Sequence, residues 1–368
     1  MENLETYLSD AIRNIMTDAY KSVITNPKQA LFILKMQKTF SKSIKKRDKV
    51  AKQDGINVPP FLISSIASTC NLSCKGCYAR ANNSCNDLHK EDKKMLSANE
   101  WKQIFKEASS LGINFNILAG GEPLIRKEIL QAASETKDII FPVFTNGILI
   151  SEEYADFFKD NLNVIPVLSI EGNQANTDLR RGNGVYDKII SAMQRLKDRK
   201  TFFGASITVT TENFDDVTDK EFLDNMHSYG TKLIFYVEYV PTTPDTEYLA
   251  FKDEHVKQME KRLDDLRVQY PDMIFFSFPG DEKVLGGCLA AGRGFFHISA
   301  TGSAEACPFS PYSDRNVAEI GLKEALKSPF FEHLRLSKLV GGEHNGGCVL
   351  FEHKDEVEEM LEDDKTAV

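Results

Sequence analysis

The chain has 368 residues, 42% of them hydrophobic, and a net charge of −9. That supports one large domain of roughly 200–250 residues with something added, and the acidity argues against a nucleic-acid partner. No apolar run reaches the roughly 18 residues of a membrane span. The start, MENLETYLSDAIRN, lacks the basic-then-apolar order of a signal peptide, so a cytoplasmic protein is expected.

The charge is unevenly spread. Between Tyr20 and Lys52 stand ten Lys/Arg and one acid, Asp48, a local +9 that leaves −18 on the rest. Residues 1–57 read as a helical extension broken at Asn26-Pro27. Ile33, Met36, Phe40 and Ile44 form an apolar stripe in steps of three and four. Lys35, Lys38, Lys42, Lys45, Lys46 and Lys49 take much of the remaining surface. The plain reading is a helix lying on the main domain with a wet lysine face. The functional one is peripheral contact with an anionic membrane or substrate.

From Phe61 a β/α alternation begins, and residues 58–245 read as the core. FLISSIAS is a strand running into a cysteine-rich loop. The next segment, SANEWKQIFKEASSLG, is a helix with Ser97 as N-cap, Glu100 completing a capping box and Gly112 as its stop. Strand NFNILAGG is followed by a helix near 125–137, strand IIFPVFTNG and a helix near 151–160. Strand VIPVLSIEG, a helix near 185–199, strand FFGASITVT, a helix near 216–229 and strand LIFYVEYV complete the series. Six strands that are apolar on both faces imply a parallel sheet. Six βα units are too few for a closed eight-stranded barrel, so the expected fold is α/β, a partial (β/α)6 TIM-type barrel. Its chemistry should gather at the C-terminal strand ends. Residues 246–368 read as a charged linker helix, the run MIFFSF and a small Gly- and Cys-rich unit, ending in an acidic, solvated helix or tail.

The odd count of seven cysteines argues against a disulfide framework. Cys70, Cys74 and Cys77 place three thiols within eight residues, just past a strand. A structural zinc would want a fourth ligand, and no His or Cys stands at finger spacing. Three thiolates suit three irons of a cubane and leave the fourth iron open to a reacting ligand.

C-x3-C-x2-C after the first strand resembles the signature of the radical S-adenosylmethionine (SAM) superfamily, and later motifs extend the resemblance over roughly residues 58–245. Gly120-Gly121-Glu122-Pro123 ends the second strand, where this family carries a motif that binds the methionine amino group. Thr145 and Asn146 end the third strand. Ser169 and Glu171 lie in a segment resembling the ribose- and amino-group-binding one. Arg181 matches an arginine that pairs with the methionine carboxylate, and Val240 sits where backbone contacts to adenine are usual. The sequence departs from the pattern at Gly76, where many members have an aromatic residue. Tyr78 follows the third cysteine instead, and Gly76 retains only a backbone contact to adenine.

A second set, Cys288, Cys307 and Cys348, begins with C-x13-G-x4-C through Gly302. This resembles the opening of the SPASM and twitch domains, which hold auxiliary iron–sulfur clusters. Later SPASM cysteines are absent, so a twitch-like unit with one auxiliary 4Fe–4S cluster is implied. FFHISATGSAEACP would be a hairpin presenting Cys307. Cys85 belongs to neither set; it is a candidate hydrogen-atom donor or an ordinary thiol.

The resemblance implies a 4Fe–4S cluster that chelates SAM, whose reductive cleavage yields a 5′-deoxyadenosyl radical that abstracts hydrogen from a substrate. A flavodoxin- or ferredoxin-type electron donor and an oxygen-protected setting follow. Glu238 and Tyr236, alternating along the sixth strand, are candidate acid–base groups. Oxidative modification of a peptide or protein is the first expectation. A small metabolite, cofactor precursor or lipid is the second. A non-catalytic iron–sulfur carrier or regulator is the third, and it leaves the SAM-type motifs unexplained.

Overall fold

The computed structural model describes residues 16–87, 94–278, 287–341 and 348–366. The start of the expected N-terminal helix, residues 1–15, lies outside them. All six expected strands form: β1 (Phe61–Ala67), β2 (Phe115–Gly120), β3 (Phe141–Thr145), β4 (Val164–Ser169), β5 (Gly204–Val209) and β6 (Leu233–Glu238). Each is parallel to the next in sequence order. A seventh parallel strand, β7 (Ile274–Phe278), pairs with β6, so the MIFFSF run extends the barrel. On the other edge β8 (His297–Ile298) runs parallel to β1, followed by antiparallel β9 (Ser303–Glu305) and β10 (Arg315–Asn316). The described residues thus form a 10-stranded sheet, ordered β10-β9-β8-β1-β2-β3-β4-β5-β6-β7, and a two-stranded parallel one that pairs Thr69–Cys70 with Asn86–Asp87. β8 and β9 are the expected hairpin, turning at Gly302 with φ 91°.

The helices follow from local chemistry. α1 (Pro27–Asp54) has Asn26 as N-cap and proline in its first turn, where a missing N–H costs nothing. α2 (Ala98–Leu111) carries the expected reciprocal cap. The Ser97 amide donates to Glu100 Oε2 at 2.7 Å, the Glu100 amide donates to Ser97 Oγ at 3.4 Å, and Gly112 ends the helix at φ 91°. α3 (Lys127–Glu135), α4 (Glu152–Asp160) and, after an intervening short helix, α6 (Val185–Asp198) cover the sheet where expected. That short helix, α5 (Gln174–Arg181), was not expected. It is eight residues long and buries only Thr177, so it has no apolar stripe to read. The expected 216–229 helix is two, Phe214–Thr218 and α7 (Lys220–Ser228), because Asp219 turns extended and caps the second. α8 (Asp253–Gln269) is the linker helix, α9 (Pro329–Leu336) packs in the C-terminal unit, and α10 (Lys354–Thr366) is the acidic segment. α10 is not wholly solvated: Val357 and Leu361 join the main core.

The basic extension closes the bottom of the barrel. Met16, Ala19, Val23, Ala30, Ile33, Met36 and Phe40 form a second core with Val167 of β4, Ile140 just before β3, and Leu233 and Ile274 at the starts of β6 and β7. Two cations of the lysine-rich stretch serve α2 directly. Arg47 Nη1 donates to the Gly112 carbonyl at 2.7 Å and Lys46 Nζ to the Ser109 carbonyl at 2.9 Å, satisfying the end of that helix. No helix among the described residues is long and apolar enough to cross a membrane.

Candidate active site at the strand ends

The cysteine loop is tied to the end of β2 by backbone contacts that only glycine permits. The Gly121 amide donates to the Ala67 carbonyl at 2.7 Å and the Glu122 amide to the Thr69 carbonyl at 2.8 Å. A Cβ on Gly121 would stand 2.0 Å from the Thr69 carbonyl oxygen, and one on Gly120, itself at φ 123°, 2.3 Å from that of Ala67. The two glycines therefore let β2 pass close under the start of the loop. Glu122 is buried and spent on holding the next strand end. Its Oε1 accepts from Thr145 Oγ1 at 2.6 Å and from the Leu124 amide at 3.0 Å, and its Oε2 accepts from the Asn146 amide at 2.9 Å. Burial raises its carboxyl above the usual carboxylate range despite these donors. Pro123 starts the short turn Pro123–Ile125 after it.

Asn146 reaches back to the loop, donating through Nδ2 to Asn71 Oδ1 at 2.8 Å beside Cys70. The Leu72 amide donates to Cys70 Sγ at 3.4 Å, while burial pushes the Cys70 thiol up to about 11. Cys74 is also raised by burial, against the lowering effect of Arg181 and Arg180. Cys77 caps the short helix Tyr78–Ala81. All three cysteines line a cavity of about 490 Å³ that fills the barrel, together with Cys85, Gly76 and Tyr78.

α5 holds the far side of the loop. The Lys75 amide donates to the Arg180 carbonyl at 2.8 Å, and Arg180 Nε returns a bond to the Lys75 carbonyl at 3.2 Å. Arg181 Nε donates to Glu171 Oε1 at 2.9 Å, and its Nη2 also contacts that oxygen. Arg180 pairs with the same oxygen at 2.9 Å. Glu171 Oε2 is buried with no hydrogen-bond partner among the described residues. Ser169, Asn146, Arg181, Glu238 and Val240 all line the cavity.

Two placements differ from the sequence-based expectation. Tyr236 does not share the cavity with Glu238: it is fully buried on the outer face, where its hydroxyl donates to the Val217 carbonyl at 2.9 Å. The pleat sends Phe235 and Val237 inward, so Tyr236 must point the other way. The second concerns Gly76, at φ 64°. Tyr239, just past β6, lays its ring there; a Cβ on Gly76 would meet the Tyr239 hydroxyl at 2.8 Å. Sequence reading missed Tyr239, because no local signal says that a residue 163 positions away in the chain packs on that glycine.

The second cysteine set lies behind the first. Cys288 and Cys307 are buried and Cys348 half-buried. A hydrogen bond with Cys348, then burial and the nearby Cys288, push the Cys307 thiol well up. The following Pro308 and Phe309 line the barrel cavity, and Phe309 meets the Tyr78 ring at 4.6 Å. Asn82 Nδ2 donates to the Pro308 carbonyl at 2.9 Å, joining the two loops. Among the described residues no three His, Cys, Asp or Glu side chains converge on a single metal-ion position. A cubane asks for a wider arrangement, with each thiolate on a different iron.

Residues 64–229 match the radical SAM superfamily. The barrel core thus carries a radical SAM segment. Members of that superfamily use a 4Fe–4S cluster and SAM. The chain is 29% identical over 162 residues to the Fe-coproporphyrin III synthase of Methanosarcina barkeri, covering 43% of this chain and 39% of that one. It is 26% identical over 271 residues to the mycofactocin maturase MftC of Mycolicibacterium smegmatis, covering 70% and 66%. In fold it is similar to the crystal structure of Streptococcus suis SuiB bound to precursor peptide SuiA. The TM-score is 0.64 at 18% identity, covering 80% of this chain and 71% of SuiB. The chain thus spans less than two thirds of the length of these first two relatives.

Proposed function

We propose that this chain is a radical SAM enzyme that reductively cleaves SAM and abstracts hydrogen from a substrate. The observation that carries the reading is the position of Cys70, Cys74 and Cys77. Three thiols line the mouth of a barrel cavity at the C-terminal ends of parallel strands, ringed by Arg181, Ser169 and Asn146. They would hold the 4Fe–4S cluster, which supplies one electron to the sulfonium of bound SAM. The residues fit that pair. Arg181 lines the cavity and offers a positive charge beside Cys74, whereas Glu171 is not among the lining residues and holds Arg181 in place. The Tyr239 ring over Gly76 supplies an aromatic surface where the loop has none, and Val240 offers backbone polar groups next to it. Glu122 acts indirectly, by fixing the Thr145–Asn146 strand end. Glu238 and Cys85 line the same cavity and are the groups placed to touch a substrate there.

Cys288, Cys307 and Cys348 would hold an auxiliary 4Fe–4S cluster, with Phe309 and Tyr78 between it and the mouth. A one-electron acceptor at that place suits oxidative chemistry, and a flavodoxin- or ferredoxin-type donor would supply the first centre. The similarity to MftC and to peptide-bound SuiB supports a peptide or protein as substrate. The apolar barrel interior favours the second reading, a small metabolite, cofactor precursor or lipid. The test is anaerobic reconstitution followed by reduction with dithionite. SAM-dependent release of 5′-deoxyadenosine, lost on Cys74→Ala, is expected. No release from protein with a full iron complement would overturn the proposal.

A further inference from the structure

The lower half of the barrel is an apolar chamber that SAM, a zwitterion with a ribose and an adenine, has no reason to fill. Going down the inner face from the mouth, Ser169 gives way to Val167 and Ile165, and Ala119 to Ile117 and Phe115. On β3 the same step runs from Asn146 to Phe144, and on β6 both Val237 and Phe235 are apolar, Phe235 being paired with Ser206 in the register. Ser206, level with Ser169 in the strand register, is the last polar side chain on the way down that wall. Met16, Ala19 and Ile33 of the N-terminal extension make the floor.

This inner face is not packed shut. Inward-facing Val167 is 0% exposed, and Phe144 of β3 and Phe235 of β6 meet across the interior at 5.2 Å, but Ile117, Phe144, Ile165 and Phe235 keep partial exposure at the centre of the molecule beside that contact. Closed eight-stranded barrels usually fill their interior with side chains. Here the cavity of about 490 Å³ runs from the cysteine loop to the floor. Four residues of strand separate Ser169 from Ile165, a depth of about 13 Å. A peptide backbone placed there would lose hydrogen-bond partners for every N–H and C=O, and carboxylate-bearing rings would lose water with nothing to pair them. A hydrocarbon chain loses nothing and gains at every methylene.

We propose that the chamber binds a linear hydrocarbon chain, acyl or prenyl, with its apolar end toward Ile33 and its upper carbons beside the cysteine loop. As a statement about substrate class this rests on the radical SAM reading of the mouth, but binding itself does not. The depth of about 13 Å takes on the order of ten carbon atoms. The purified full chain, under argon, is titrated calorimetrically with saturated straight-chain acids of increasing length in one arm, and with geraniol and farnesol in the other. One ligand per chain is expected, with affinity rising roughly fourfold per added methylene until the chamber is full and flat beyond. Tighter binding in one arm names the source of the chain. Ile117→Trp fills the middle of the chamber and should weaken the longest acid at least tenfold while sparing the shortest. Should Ile117→Trp fail to fold by circular dichroism, Ile33→Phe raises the floor and should move the plateau to shorter chains. Affinity independent of length, or no saturable binding in either arm, would overturn the proposal. Length-dependent binding by a protein that cleaves no SAM would leave the chamber standing and remove the radical SAM reading. Cleavage without such binding would do the reverse.

Discussion

Gly121 shows how a single missing side chain sets the site. Its Cα passes so close to Thr69 that an added Cβ would sit 2.0 Å from backbone oxygen, and backbone cannot give way as a flexible side chain can. Gly121→Ala should therefore displace the segment leading into Cys70, and the expected result is a loss of bound iron larger than the loss of helical circular dichroism. Asp178 shows the electrostatic counterpart. Its carboxylate accepts from the Gly184 and Tyr186 amides, both at 2.9 Å, and these hold its pKa below the ordinary value. A depressed folded-state pKa gives stabilisation that is present above the unfolded value of about 3.9 and lost as pH falls through the folded one. The melting-temperature gap between the wild-type protein and Asp178→Ala should be full at pH 6 and shrink as the pH is lowered past 4; a gap independent of pH would refute this account. Gly121 was legible as part of a motif, yet the reason for it lies in a contact with a residue 52 positions away.

The barrel floor is where an element does more than its periodicity announced. The stripe Ile33, Met36, Phe40 was readable as one face of a helix; the surface it meets was not. α1 closes the lower barrel, with Phe40 stacked on Phe115 at 5.1 Å. Met36 is 0% exposed, so Met36→Ala should cost about 3 kcal/mol in urea unfolding, through lost transfer energy and the cavity left behind. A loss below about 1 kcal/mol would mean that the extension is a loose cover. The outer face of α1 mixes Leu31 and Leu34, 69% and 41% exposed, with Lys35 and Lys38. α5 is the opposite case. Its sequence holds too few apolar positions to mark a helix, and it is fixed instead by Asn173 at its start and by bonds to Lys75 at its end.

At the scale of the molecule, the strands that precede Cys70 and Cys307, one from each cysteine set, are joined in one continuous sheet by the β8–β1 pairing, and this keeps the second set against the barrel rather than on a separate body. Anaerobic reconstitution should bring about eight irons per chain, falling to about four when Cys70, Cys74 and Cys77 are changed to Ala. A ceiling of four in the parent protein would remove the auxiliary cluster. The amino-acid sequence by itself determined the α/β alternation, the six strands first counted, the ends of the principal helices and both cysteine groups, because each depends on period, capping or spacing within a few residues. Only the tertiary structure decided that β7 joins the barrel, that Tyr236 faces outward, that Tyr239 covers Gly76 and that the lower barrel is left open. Those outcomes depend on strand order and on which pleat face points inward, and they bring together residues whose separation along the chain carries no local signal.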